Sequence, residues 1–372
     1  MKLRACSNAL VTTALTLGLA AAASPAGAAD PPPFLDRLHT VSAVASTVPE
    51  NGDVNPYGTF TIQESVGDLH RGNVLISNFN NSANLQGTGT TLVQVTPGGS
   101  RTTFATIDPN NLPGPCPGGV GLTTALTVLP GGWVVVGSLP TADGTSDTAE
   151  AGCLLVLDRH GTVRETIAGD GINGPWDMTA VSTGKRSELF VTNVLNGTVA
   201  GGGAEVDRGT VLRITLCTED DQPPQRVATT EIGSGFPERT DPAALVVGPT
   251  GVGLGHDGTL FVADAVLSRI TAIPHAVART DSAGIGRVVT EGGGLNAPLG
   301  LAIAPRGDIL TVNGGDGNIV ETTSEGRQVA SKQINNEGTP PGAGALFGLA
   351  LDLDQDAVYF VNDADNALDV LH

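Results

Sequence analysis

Residues 251–274, GVGLGHDGTLFVADAVLSRITAIP, decide the fold. The opening GVGL predicts a first strand. His256-Asp257-Gly258 predicts a tight turn, because Asp and Gly tolerate the positive φ that such turns need. Residues 260–264, LFVAD, make a second strand that is apolar until its last residue. Residues 268–273, SRITAI, make a third, and Pro274 ends it.

Diverged copies of this unit recur. Aligned on 260–264, the second strands fall at 74–78, 134–138, 189–193, 309–313 and 358–362, and successive starts lie 60, 55, 71, 49 and 49 residues apart. The last two spacings match one four-stranded propeller blade of roughly 40–50 residues. The longer spacings carry insertions. The longest holds Gly201-Gly202-Gly203 and the polar residues 218–226, both read as surface loops. Small-residue first strands, such as GLAIA at 300–304, suit a crowded position near an axis. Residues 163–167, 287–290 and 328–333 fit fourth strands, each followed by a link into the next blade. Residues 40–47, TVSAVAST, form a fourth strand with no blade before it, and 367–371 form a third strand with no fourth after it. The two halves complement each other, so the ring should close with no open sheet edge. The expected fold is an all-β, six-bladed β-propeller forming a single domain over residues 30–372.

The link-and-strand pattern Asn296-Ala297-Pro298-Leu299-Gly300-Leu301-Ala302, then Gly307-Asp308-Ile309-Leu310-Thr311-Val312-Asn313, resembles an NHL repeat, as do residues 251–270. The resemblance covers nearly the whole chain after the N-terminal segment, and the last three repeats are close to the pattern. NHL propellers include binding modules, and similar six-bladed rings include metal-dependent lactonases and amidating lyases. The resemblance therefore implies the ring more firmly than a chemistry. It is compatible with an exported binding or scaffolding module for a protein, peptide or small ligand. The alternative is a divalent-cation-dependent hydrolase or lyase of the lactonase-like propeller kind.

Composition narrows the partners. The chain has 51 Gly and 24 Pro but is 40% hydrophobic, which is turn-rich rather than disordered. A formal charge of −19 repels phosphate backbones, so nucleic acid is excluded as an expected partner. Lys2 and Arg4, the apolar residues 9–23 and Ala26-Gly27-Ala28-Ala29 have the order of a cleaved leader spanning 1–29. A secreted or periplasmic monomer without a membrane span is expected. Cys116 and Cys153 fall in one repeat and are the expected disulfide, with Cys217 left over.

In a propeller the loops after the second strands and the blade-to-blade links share one face. The residues ending the second strands, Asn78, Ser138, Asn193, Asp264, Asn313 and Asn362, are therefore expected at one rim of the channel. Oxygen donors suit Ca2+ or Mg2+, with Asp264, Asn193 and Asn313 as the candidate ligand set. The competing explanation is structural, since Asn and Asp favour strand-end turns and bond to backbone there. Trp176 and Asp177, in the link position of the third blade, and Asn55 and Asn296 are expected on the same face. Other motifs fail on context. GLGHDG at 253–258 precedes a strand and opens no helix, which excludes a dinucleotide loop. DLDQD at 352–356 starts like a calcium loop, but Ala357 stands where that loop needs Gly. His70 and His256 sit in turns on the opposite face, so the histidine chemistry of streptogramin-lyase-like propellers has no counterpart.

Overall fold

Six antiparallel sheets follow one another along the chain. The computed structural model describes residues 32–372 except 220, 221, 243, 353 and 355, and the expected leader lies outside the described residues. Blade 1 comprises Val54–Thr61, Val74–Asn80, Thr91–Val95 and Arg101–Thr106. Blade 2 comprises Leu122–Leu129, Trp133–Ser138, Cys153–Leu157 and Val163–Ile167. Blade 4 comprises Pro249–Leu254, Leu260–Asp264, Arg269–Ile273 and Arg287–Glu291, and blade 5 Pro298–Ile303, Ile309–Asn313, Asn318–Thr322 and Gln328–Gln333. Their second and third strands are buried nearly throughout, because neighbouring blades cover both faces, which is why they read as apolar runs rather than alternations.

Blade 6 closes the ring. Leu346–Asp352, Ala357–Asn362 and Ala367–Leu371 come from the C-terminus, and Val41–Ser46 from the N-terminus pairs with Ala367–Leu371 in antiparallel register from Val41↔Leu371 to Ser46↔Ala367. The segment before this strand is strapped down as well. Phe34 and Leu35 are buried against blades 5 and 6, and their N–H groups donate to the two carboxylate oxygens of buried Glu321 at 2.7 and 2.8 Å.

Blade 3 departs from the sequence expectation. Beyond Gly174–Thr183, Arg186–Val194 and Val206–Cys217, its fourth strand runs over Gln225–Asp241 and turns back into a fifth, Leu245–Val247. The beginning of that fourth strand is the end of the segment expected to be loop. The β-branched residues of 227–232 pair with Val206–Cys217 through a ladder with several bulges. The hairpin at its far end, Arg239↔Val247 to Asp241↔Leu245, lies over the axis.

Every first strand carries a bulge at its link end, between Pro56/Thr59, Leu122/Leu126, Pro175/Asp177, Pro249/Val252, Pro298/Leu301 and Leu346/Leu349. In blades 1, 4, 5 and 6 the bulge holds a glycine: Gly58, Gly251, Gly300 or Gly348. A Cβ there would meet the next blade's backbone at 2.9, 2.4, 2.2 and 2.2 Å respectively, so in these four blades glycine lets the first strand crowd the axis. Register places Asp177 at the same position in blade 3. A second observation supports that equivalence. Gly58 N–H donates to Ser77 Oγ, which donates to Thr123 O of the next blade; Asp177 N–H donates to Thr192 Oγ1, which donates to Thr250 O of the next blade.

Cys116 and Cys153 form the expected disulfide, with Cα atoms 5.2 Å apart. No cysteine among the described residues is free, which corrects the expectation that Cys217 is a leftover thiol. Among the described residues no helix is long and apolar enough to cross a membrane.

Candidate functional site

The second-strand ends are placed at the link face but turned into their own blades. Asn78, Ser138, Asn193, Asp264 and Asn313 are fully buried and Asn362 nearly so. Asn193 is the most committed. Its Oδ1 accepts the N–H groups of Asn173 and Gly174, and its Nδ2 donates to Gly171 O and Thr210 Oγ1. Asn313 Nδ2 donates to Gly294 O and to Asp316, and Asn78 Nδ2 to Thr47 O. Asn362 Nδ2 faces Asp365 and Asp369. Ser138 Oγ bridges Gly119 O and Gly121 N. Asn78, Ser138, Asn193 and Asn313 therefore tie the link before their blade to the sheet, and Asn362 bonds within its own hairpin, as short polar side chains at strand ends do.

Asp264 is the one carboxylate of the set. Its Oδ2 accepts Arg269 Nε at 2.8 Å and its Oδ1 the Leu267 N–H at 3.2 Å. Burial nonetheless pushes its pKa above the usual carboxylate range. Of the candidate ligand set, Asn193 Oδ1 is taken by two amides and Asp264 by an arginine of its own blade. The amide oxygens of Asn78, Asn313 and Asn362 are buried without a partner. Among the described residues no group of three or more His, Cys, Asp and Glu side chains is placed to hold a metal ion.

The axis itself is closed. The residue before each bulge glycine, or its equivalent, points inward at the link end, and four of these are large: Tyr57, Trp176, Leu299 and Phe347. Tyr57 stacks on Phe347 at 3.9 Å between ring centroids and on Phe79 at 4.4 Å, and faces Trp176 at 6.4 Å. The blade 3 hairpin completes the plug with Ala244–Val247, and Trp176 Nε1 donates to Val246 O at 3.0 Å. Aromatic residues are 3% of the chain, and Tyr57, Phe79, Trp176 and Phe347 are gathered here. The Tyr57 hydroxyl is buried; Asn55 lies near, but no well-formed hydrogen bond reaches the oxygen. Burial, and then the negative charge of Asp363, raise its pKa well above the ordinary phenol value.

A cavity lies on each side of the plug. On the link face, a pocket of about 300 Å³ opens between the blade 3 hairpin and blades 4, 5 and 6. Its wall is small and apolar, with Ala244, Val247, Ala265, Leu299 and Phe347, and the backbone of Gly314 and Gly315 forms part of its side. Its polar corner is an ion pair, Arg239 Nη1 to Asp241 Oδ2 at 2.9 Å, in which Arg239 also donates to Thr240 O. Exposed Asn296 flanks this pocket beside Ala297, donating to Asp316. On the turn face, a cavity of about 270 Å³ is lined by the first strands of all six blades, and among the described residues Asp177 is the one titratable side chain on its wall. The sequence candidates Trp176 and Asp177 thus part at the bulge: the indole enters the plug and the carboxyl lies below it.

Sequence reasoning missed Arg239, Asp241, Tyr57 and Phe347. Arg239 and Asp241 sat beyond a segment read as loop, and the apolar run Ala244-Leu245-Val246-Val247 after them was the available sign of a buried return strand.

No protein-family model matches the sequence, and no match is found among curated proteins. Solved structures do match. The chain is similar to regucalcin, a calcium-binding protein of Agrobacterium tumefaciens, with a TM-score of 0.55 and 12% identity over 88% of this chain and 94% of that one. It is similar to virginiamycin B lyase of Staphylococcus aureus, with a TM-score of 0.52 and 15% identity over 89% and 98%. It is also similar to a gluconolactonase of Xanthomonas campestris, with a TM-score of 0.51 and 14% identity over 86% of each chain. At such identities the likeness shows a shared β-propeller fold and no shared chemistry.

Proposed function

We propose that this chain is an exported binding propeller that holds a compact, mostly apolar ligand bearing one carboxylate or carbonyl in the link-face pocket. The observation that carries the reading is the pocket's composition: an apolar wall with a single Arg239–Asp241 pair at its corner. Ligand pockets are concave and chiefly apolar, with a few placed polar groups that fix orientation. Arg239 uses one amino group on Asp241 and Thr240, which leaves its other donors to take a ligand oxygen. Export rests on the leader-like N-terminus and fits the oxidised Cys116–Cys153 pair.

Thermal-shift and calorimetric titration with hexanoate as probe tests the reading. Hexanoate is expected to bind and to stabilise the fold. Arg239→Ala should weaken it at least tenfold, since a hydrogen bond to a charged group contributes about 1.5–3 kcal/mol. Ala343→Phe, at an exposed lining position, should block it without disturbing the core. Unchanged affinity in both variants would remove this site.

The second reading is a Ca2+- or Mg2+-dependent hydrolase or lyase using Asp264, Asn193 and Asn313. The fold likeness to a calcium-binding protein and to a gluconolactonase supports it. A pH-stat assay on δ-valerolactone with and without Ca2+ separates the two. Metal-dependent acid release that Asp264→Ala abolishes would favour catalysis; binding without turnover is expected here.

A further inference from the structure

Asp177 stands where four of the six blades carry glycine and blade 2, within its bulge, carries Thr124. Blades 1, 4, 5 and 6 put glycine at this bulge because the next blade's backbone comes within 3 Å of where a Cβ would stand. Blade 3 instead places a carboxylic acid there, 8% exposed, on the wall of the turn-face cavity. Its oxygens are fixed from two blades: Oδ1 accepts the N–H of Met178 at 2.8 Å and Oδ2 accepts the N–H of Val252 at 3.1 Å. Departures from a local rule that carry a cost concentrate at functional sites. The cost is visible, since burial pushes this carboxyl up to about 8 against the pull of those two N–H groups.

Each first strand runs from the link to the hairpin turn, so Thr59, Thr124 and Asp177 lie toward the cavity's link end while Phe60, Gln63, Ala180, Leu254 and Leu351 are half-buried or exposed toward the turn face. Threonines and Gln63 supply neutral oxygens along the wall. Among the described residues, the strands that line the cavity from blades 1, 2, 4, 5 and 6 bring no titratable side chain to it, and no charged group acts on Asp177 from behind. A single carboxyl among neutral acceptors does not build the six or more oxygen ligands of Ca2+ or Mg2+. It does match one ammonium head, and the chain's charge of −19 concentrates cations around it.

We propose that the turn-face axial cavity is a binding site for a compact primary ammonium compound, with the Asp177 carboxylate as its anchor. This site is separated from the link-face pocket by the plug and does not rest on the reading of that pocket. Because the empty site holds a proton at neutral pH, the ligand must displace it. Binding then releases one proton, and affinity rises about tenfold per pH unit below the carboxyl's midpoint while the amine stays charged.

NMR titration of the full chain with ethylammonium tests this, with ethanol and potassium chloride as controls. The amide protons of Met178 and Val252 are direct reporters. In the free protein they should titrate with a midpoint near 8. Saturating ethylammonium should lower that midpoint by at least one pH unit, and affinity should rise about a hundredfold from pH 5 to pH 7. Asp177→Gly, which restores the residue four other blades use, should abolish the effect. The raised acid also sets a stability signature. Its contribution is intact below the ordinary carboxylate range and is lost progressively as pH rises to about 8, so the variant should gain on the wild type from about pH 4 to about pH 8 and level off above it. Equal effects of ethanol or potassium, no pH dependence, or unchanged binding in Asp177→Gly would each overturn the assignment. The wild-type titration decides the matter even if the variant folds poorly.

Discussion

Tyr57→Ala should lower the stability of the fold by about 3–5 kcal/mol, the range for deleting a buried aromatic side chain. Tyr57 is 2% exposed, and its ring is shared by three others, on Phe347, Phe79 and Trp176. Truncation would open a void at the one place where the first strands of blades 1, 3, 5 and 6 meet through large side chains. Aromatic contacts of this kind add about 0.5–1.5 kcal/mol each beyond area burial. Tyr57→Phe should have the opposite sign or none. The hydroxyl is buried without a well-formed partner, and removing an unsatisfied polar group recovers about 1–3 kcal/mol at most. Urea unfolding of the two variants beside the wild type measures both. A Tyr57→Phe loss as large as the alanine loss would show that the hydroxyl, not the stack, holds the plug.

The Cys116→Ser/Cys153→Ser double variant should lose about 4 kcal/mol, from the entropy of closing a loop of this length in the unfolded chain. The bridge spans 37 residues of sequence within blade 2 and the link before it. That link is irregular, and both sulfurs lie in the apolar cluster shared by blades 1 and 2. Exposure of buried serine hydroxyls to that cluster adds to the cost. The measurement is the urea midpoint under non-reducing conditions, so that Cys217 keeps its own state. A change below about 1 kcal/mol would mean that the link is held by its backbone bonds, such as Gly118 N–H to Ala151 O, and not by the bridge.

The ring was legible because blades repeat. The LFVAD-type second strands set the period, and half-blades at the two ends of the chain showed how it closes. The direction of the strand-end side chains was not legible. An Asn at the end of a buried strand can face a channel or its own link, and the choice depends on which backbone groups the link leaves unpaired. Asn193 shows the outcome, with its amide spanning Gly171, Asn173 and Gly174. The Asp177 anomaly was readable in principle: Pro56-Tyr57-Gly58, Pro249-Thr250-Gly251 and Pro298-Leu299-Gly300 stand beside Pro175-Trp176-Asp177. The link-face pocket was not, because its corner and walls come from blades 3 to 6 and meet only when the long hairpin folds over the axis.

Both cavities exist only if the chain ends share a sheet, since that pairing fixes blade 6 and with it Phe347 and Leu351 at the axis. Ser42 and Val370 are direct cross-strand partners in that sheet. Neighbouring Cβ atoms across an antiparallel pair lie about 4.5–5.5 Å apart, within reach of a disulfide after small adjustment. Ser42→Cys/Val370→Cys should therefore oxidise to one intramolecular crosslink, mapped by mass spectrometry of the non-reduced digest, with a raised unfolding midpoint. Two free thiols under oxidising conditions, or crosslinks found only between molecules, would contradict the closed ring.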